Sequence, residues 1–217
     1  MQISLEQALQ MPDAALFAQK LESALKAEQK KRRHFYEIVE ENRKMEFING
    51  EIIFQSPVKL QHNSATKLLC GLLNAFVMKN DLGFVGVEKM MVSLTRNDYE
   101  PDVCFFGNEK AKKFKRNQAQ FPAPDFVVEV LSDSTEKNDR ETKFQDYAAH
   151  GVQEYWIVDA EKETIEQYFL QKDQYELLQK SKSGEINSVV LPEFKIPIRS
   201  VFDEAENVKT LTDLVNR

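Results

Sequence analysis

The segment Phe126-Val127-Val128-Glu129-Val130-Leu131 constrains this chain more than any other. A near-continuous apolar run of this length reads as a strand covered on both faces, which places it inside a layered core. Glu129 is the ionisable member of that run, and burying an unpaired carboxylate there costs several kcal/mol. A fold with this strand at its centre must therefore bring a compensating group to Glu129. Whatever compensates it is a candidate for function.

The flanking segments set the fold class. Residues 1–44 form a Gly-free arm rich in Leu, Ala, Glu and Lys, with Ser4 and Gln7 placed for a capping box and a second helix start at Asp13 after Pro12. Its Lys30-Lys31-Arg32-Arg33 cluster reads as a solvated helix face without a catalytic role. Met45–Phe54 places two short apolar-rich arms around Asn49-Gly50, a dipeptide suited to a type I′ hairpin turn. Leu68, Leu69, Leu72, Leu73 and Phe76 then recur at helical spacing, predicting a helix from about 61 to 79.

Three short strands are expected between Gly83 and Phe106, one of them following Pro101-Asp102. After Glu129, Asn138 and Glu141 are placed to cap a helix that runs to about Ala149 and stops at Gly151, and Glu154–Asp159 reads as the next strand. Segments 164–170 and 175–178 look like the paired arms of a peripheral β tail. The order implies an α/β (α+β) fold with a mixed central sheet between helices. The expected division is a helical arm at 1–44, a core at 45–170 and a C-terminal extension of the same domain at 171–217.

Composition removes other classes. Of 217 residues, 29 are Lys or Arg and 35 are Asp or Glu, so the net charge is 29 − 35 = −6 and a surface that is basic throughout is excluded. Seven Gly and seven Pro, with no fixed-period repeat, exclude collagen-like, linker and solenoid architectures. No run approaches the roughly 18–20 apolar residues of a membrane span, and Glu6, Asp13, Lys20 and Glu22 interrupt any signal-peptide core, so the expected location is cytoplasmic. Cys70 and Cys104 stand apart in apolar surroundings and read as buried thiols of a reducing compartment.

Two acids occupy strand positions on successive segments: Asp102, entering one strand, and Glu129, inside the next. Carboxylate oxygens are the ligands Mg²⁺ and Mn²⁺ prefer, commonly one or two per ion, so a converging pair outlines a phosphoryl-transfer metal site. Two unrelated acids would produce the same spacing. Asp139, Lys143 and Tyr147 follow at i, i+4 and i+8, which puts all three on one helical face. Spacing alone equally describes an exposed Asp139–Lys143 pair beside a core-edge Tyr.

Taken in order, Pro101-Asp102, then Asp125–Ser132 with Glu129, then Asp139, Lys143, Tyr147 and Gly151–Asp159 closely resemble the Uma-type family of restriction endonucleases in the PD-(D/E)XK nuclease superfamily. The resemblance extends to Glu46–Glu51, Ser56-Pro57 and His62 and covers roughly residues 45–170. It implies a restriction-endonuclease-like core in which Asp102 and Glu129 hold a Mg²⁺ or Mn²⁺ ion and the Val130 carbonyl adds a ligand. The superfamily's Lys two residues after the Glu is here Leu131, and the resemblance assigns its role to Lys143. Glu46 and His62 are implied as auxiliary groups, with Ser132 and Tyr147 behind them. Tyr155 and Trp156, in a strand pattern, read as core.

The activity implied is metal-dependent hydrolysis of DNA phosphodiesters. The alternative, motivated by Leu131 and the long arm, is an inactive nuclease-fold module that binds nucleic acid or a protein. Lys110, Lys112, Lys113, Lys115 and Arg116, five cations in seven residues, are the expected phosphate-backbone contacts. A homodimer is expected, since cutting both strands commonly uses paired sites and two-fold dimers are the commonest assembly.

Overall fold

The computed structural model describes residues 4–39 and 43–216. Helices α1 (Leu5–Leu9) and α2 (Ala14–Ile38) lead into the hairpin β1 (Met45–Ile48) and β2 (Glu51–Phe54), followed by α3 (Leu60–Lys79). Strands β3 (Gly83–Val87), β4 (Met91–Ser93), β5 (Asp98–Tyr99) and β6 (Val103–Gly107) come next, then α4 (Asn108–Ala111), β7 (Gln120–Phe121) and β8 (Phe126–Val130). Helices α5 (Glu136–Arg140) and α6 (Thr142–Ala149) precede β9 (Glu154–Asp159), β10 (Thr164–Gln171) and β11 (Gln174–Ser181). The chain closes with β12 (Glu185–Asn187), β13 (Lys195–Pro197), a 3₁₀ turn at Ile198–Val201 and α7 (Glu204–Asn216).

The expected mixed α/β architecture is present. A six-stranded sheet runs β11-β10-β9-β8-β6-β3, with β8 and β9 parallel and the other neighbours antiparallel. A five-stranded sheet, β2-β1-β5-β4-β7, faces it. The three strands expected in succession between 83 and 106 are thus divided, β3 and β6 in one sheet and β4 in the other, where it pairs with a fourth short strand, β5. One face of the larger sheet packs on α3 and α7 through Leu69, Leu73, Val103, Phe105, Val128 and Trp156. The opposite face packs on the smaller sheet and α6 through Cys104, Val127, Tyr99, Tyr147, Tyr155 and Ile157. Every residue of β8 and β9 is buried, as the apolar run required, and Tyr155 and Trp156 are core residues.

Local chemistry explains the element ends. Asn49 and Gly50 have φ of 51° and 83°, the left-handed pair a type I′ turn needs, and they join β1 to β2. Ser4 and Gln7 form the reciprocal capping box of α1, whereas Asp13 makes no side-chain cap bond at α2. Cys70 and Cys104 are free thiols, Cys104 buried and Cys70 half-buried.

Three expectations are corrected. Asn138 and Glu141 do not cap a helix. α5 begins earlier, after Thr135, and Glu141, at φ −116° and ψ −74°, is a break before α6. The C-terminal tail is not all β structure. Its last part is α7, whose Asn207, Thr210 and Leu214 are buried and whose surface packs on α3. The Lys30–Arg33 cluster is not wholly solvated either. Arg32 reaches across to Asp98, with Nε–Oδ2 2.6 Å and Nη2–Oδ1 2.8 Å, and also donates to the Leu94, Thr95 and Asn97 carbonyls. This fork, the Glu28–Arg96 pair and buried Phe35 fix the C-terminal half of α2 on the smaller sheet. No described helix is long and apolar enough to cross a membrane.

Candidate metal centre

Strand alternation places the acids. Along β8, Phe126, Val128 and Val130 face α3, so Val127 and Glu129 face the smaller sheet. Asp102 enters β6 in the same alternation as Cys104, and β6 pairs antiparallel with β8 with Val103 opposite Val128. Asp102 and Glu129 therefore converge between the two sheets, 4% and 2% exposed. The link is direct, because the Val130 amide donates to Asp102 Oδ2 at 2.8 Å.

Glu46, on β1 of the smaller sheet, and Asp139 and Lys143, on α5 and α6, complete the cluster. Lys143 Nζ lies 2.9 Å from Glu46 Oε1, 3.1 Å from Glu129 Oε1 and 3.1 Å from Asp139 Oδ1, and all four side chains are buried. The Asp139–Lys143 pair is thus internal, and the exposed-pair alternative does not hold. Asp139 Oδ1 makes no hydrogen bond despite its proximity, and Tyr147 gives Glu129 Oε1 only a long bond of 3.4 Å. Glu46 Oε1 also accepts the Glu100 amide at 2.9 Å, which ties β1 to the segment before Asp102. His62, on α3, places Nε2 3.4 Å from Asp102 Oδ2.

The site also contains a residue that the sequence reading missed. Lys44 Nζ lies 2.9 Å from Asp102 Oδ1, with its side chain 18% exposed. It directly precedes β1, and the Gln55 amide bonds its carbonyl, so the hairpin ladder extends to it. The signal was available: Lys44 and Glu46 are two apart along an extended segment and share a face. It is obscured by the charged run at the end of the arm, of which Lys44 is the last residue.

Electrostatics follow from burial and neighbours. Burial opposes the charge on Asp102, but the His62 contact and the Lys44 ammonium hold its carboxyl well below the usual range. For Glu129 the balance is reversed. Burial raises its pKa well above the ordinary value, Lys143 lowers it, and the nearby Asp139, Asp102 and Glu46 charges raise it further. Asp139 is raised chiefly by burial. Burial disfavours the Lys143 ammonium, yet the surrounding Asp139, Glu129 and Glu46 carboxylates hold its pKa well above normal.

With these groups ionised, Glu46, Asp102, Glu129 and Asp139 carry −4 against +2 from Lys44 and Lys143, a local excess of −2. A divalent cation matches that excess, and Asp102 and Glu129 supply hard oxygen donors to one small cavity, so the residues fit Mg²⁺ or Mn²⁺. That cavity, walled also by Lys44, His62, Ser132 and Lys143, has a volume of about 10 Å³, room for one water-sized sphere. Among the described residues no three or more His, Cys, Asp or Glu form a metal-holding cage. Two carboxylates completed by water, backbone or substrate oxygens remain the usual manner of holding Mg²⁺.

The remaining sequence-derived residues are less closely engaged. Ser132 bonds its own loop, Oγ to Thr135 Oγ1 at 2.8 Å and to Ser134 Oγ at 3.2 Å, and lines the cavity. The cavity adjoins a groove of about 240 Å³ that shares its Ser56, His62 and Ser132 wall and is rimmed by Lys59, Asp133 and Asp159. The basic segment lies elsewhere. It follows Gly107, whose amide bonds Asp125, at the far end of β6 from Asp102, one strand length or roughly 16 Å away. Lys110 pairs with Asp125 at 2.7 Å, while Lys112, Lys113, Lys115 and Arg116 are exposed.

A family model described as Uma2, "Putative restriction endonuclease", matches residues 32–199, from the docked half of α2 to the start of the 3₁₀ turn. The chain belongs to the Uma2 family. Among solved structures, a "putative nuclease belonging to DUF820" from Anabaena variabilis ATCC 29413 superposes with a TM-score of 0.66 at 19% identity, covering 80% of this chain and 96% of its own. At that identity the likeness concerns the fold alone. No curated protein matches it. Most of the helical arm lies outside the Uma2 match, and all the residues converging on Asp102 and Glu129 lie inside it.

Proposed function

We propose that this Uma2 protein is a Mg²⁺- or Mn²⁺-dependent endodeoxyribonuclease. The observation that carries the reading is the convergence of Asp102 and Glu129 from neighbouring strands on one cavity, within a buried cluster that also holds Glu46, Asp139, Lys44 and Lys143. Asp102 and Glu129 would hold the ion, with the Val130 carbonyl as a further ligand. When bound, the ion acts as a Lewis acid that lowers the pKa of water and offsets charge developing on the phosphate.

The chain's own groups supply the positioning. The Val130 amide and His62 fix Asp102 Oδ2, so this carboxylate keeps one orientation with both partners on one oxygen. Lys143 gathers Glu46, Glu129 and Asp139 around a single ammonium and keeps Glu129 from turning into the apolar core. Tyr147 adds a weak bond to the same Glu129 oxygen.

Lys112, Lys113, Lys115 and Arg116 are proposed to contact DNA away from the cleavage point, since they lie at the opposite end of the sheet. A homodimer is proposed for double-strand cutting. Light scattering at micromolar concentration tests it, with a monomer as the contrary result.

The deciding experiment compares wild type and Glu129→Ala, prepared identically, on supercoiled, linear and single-stranded DNA with Mn²⁺ or Mg²⁺. Cleavage by wild type alone is the expected result. DNA binding without turnover, insensitive to chelator and to Glu129→Ala, would instead identify a binding module built on the nuclease fold.

A further inference from the structure

The relocated-lysine assignment places Lys143 opposite the phosphate, but its surroundings argue for a different role. Its ammonium lies within 3.1 Å of three carboxylate oxygens, and its side chain is 1% exposed. A cation already shared among three anions has little field left to offer a fourth, and Glu129, Glu46 and Asp139 would lose their common counter-ion if it turned away. Lys44 is placed differently. Among the described residues its ammonium touches one carboxylate oxygen, Asp102 Oδ1 at 2.9 Å, so two of its three N–H donors are uncommitted. Its side chain is 18% exposed, and it walls the same cavity as Glu129 and Ser132.

From this contrast we infer that Lys44 is the catalytic ammonium that meets the scissile phosphate, and that Lys143 is a positioning residue for the carboxylates. The inference rests on the endonuclease reading above. A four-carbon stem anchored at the edge of β1 lets the Lys44 ammonium move from Asp102 to a phosphate oxygen entering the cavity while its backbone stays in the hairpin ladder. No covalent change at Lys44 is involved. Its charge opposes the negative charge that builds on the non-bridging oxygens as the P–O bond breaks.

The test uses the full chain carrying Lys44→Gln, Lys44→Arg or Lys143→Met. Lys44→Gln is expected to lower kcat about 10²-fold, the usual cost of one preorganised donor, with KM changed less than about threefold. Lys44→Arg should recover part of that loss because the positive charge is retained. By calorimetry, Mn²⁺ should bind Lys44→Gln at least as tightly as wild type, since a cation beside Asp102 has been removed. Lys143→Met should instead lower Tm by about 6 °C or more, as expected for a broken buried ion cluster.

Wild-type turnover by Lys44→Gln would overturn the assignment alone, as would loss of its Mn²⁺ binding, which would make Lys44 a support for Asp102. A wild type that cuts no DNA with either metal would overturn the endonuclease reading and this assignment together.

Discussion

A buried carboxylate is tolerable only as far as its neighbours allow, and two glutamates of this chain show the two outcomes. Glu154, fully buried on β9, accepts from Trp156 Nε1, Gln167 Nε2, Ser188 Oγ and the Val189 and Val190 amides, all at 2.7–2.9 Å. These donors satisfy its charge without a cation and anchor the loop after β12 to the central sheet. Glu154→Ala should leave four donors unpaired, with Gln167 keeping only the Asn187 carbonyl, and cost about 3–5 kcal/mol in urea unfolding. Glu129 has one cation for a cluster of like charges, and so is held at the expense of stability. Glu129→Gln, measured in chelator, should raise Tm by about 2–4 °C while abolishing cleavage, because it removes charge that Lys143 only partly offsets. A lower Tm would show that the ion cluster is a net support.

Among the elements, α2 and β10 depend on ion pairs of different exposure. The C-terminal half of α2 is fixed by Arg32 on buried Asp98, whereas residues 15–27 are exposed throughout. Arg32→Ala should therefore loosen α2 against the smaller sheet, leaving Phe35 and the Glu28–Arg96 pair as its anchors, and speed hydrogen exchange and proteolysis of residues 14–38, while the hairpin β1–β2 stays protected. On β10, burial disfavours the Glu166 carboxylate, but the Arg140, Tyr168 and Lys180 contacts bring its pKa down to about 2, below the ordinary 4.5. A lowered native pKa means stability that is present above about pH 4.5 and lost as pH falls toward 2. The amount is about 1–2 kcal/mol, since Arg140 and Lys180 remain partly in solvent. Glu166→Gln should flatten acid unfolding across that window, and an unchanged profile would remove Glu166 from the account.

For the molecule as a whole, the site is a junction of every layer: β1 from the smaller sheet, β6 and β8 from the larger, α3 from one face and α5–α6 from the other. A ligand bound there stabilises all of them at once. Mg²⁺ or Mn²⁺ at about 100 times its dissociation constant should raise the unfolding free energy by about 2.7 kcal/mol, and Asp102→Asn should lose that increment. Equal melting with and without the ion would contradict the metal-site reading.

The sequence by itself determined the elements whose signals are local. Alternation and apolar runs announced β8, β9 and the hairpin, 3.6-residue periodicity announced α3, and Asn49-Gly50 announced the turn. The order of Asp102, Glu129 and Lys143 pointed to the family. Tertiary structure decided the rest, because the remaining interactions join residues far apart in the chain. Whether Asp139 and Lys143 were a surface pair or a buried cluster depended on Glu46 and Glu129 arriving from two other strands. Lys44 became part of the site only when β1 was laid beside the segment preceding β6. The break at Glu141 and the docking of α7 on α3 likewise reflect packing that local propensity does not encode. The basic run from Lys110 to Arg116 follows β6 as Asp102 precedes it, so the sequence already set the two a strand length apart, whereas the arrival of Glu129 at the Asp102 end followed from antiparallel register, which only pairing with β8 could fix.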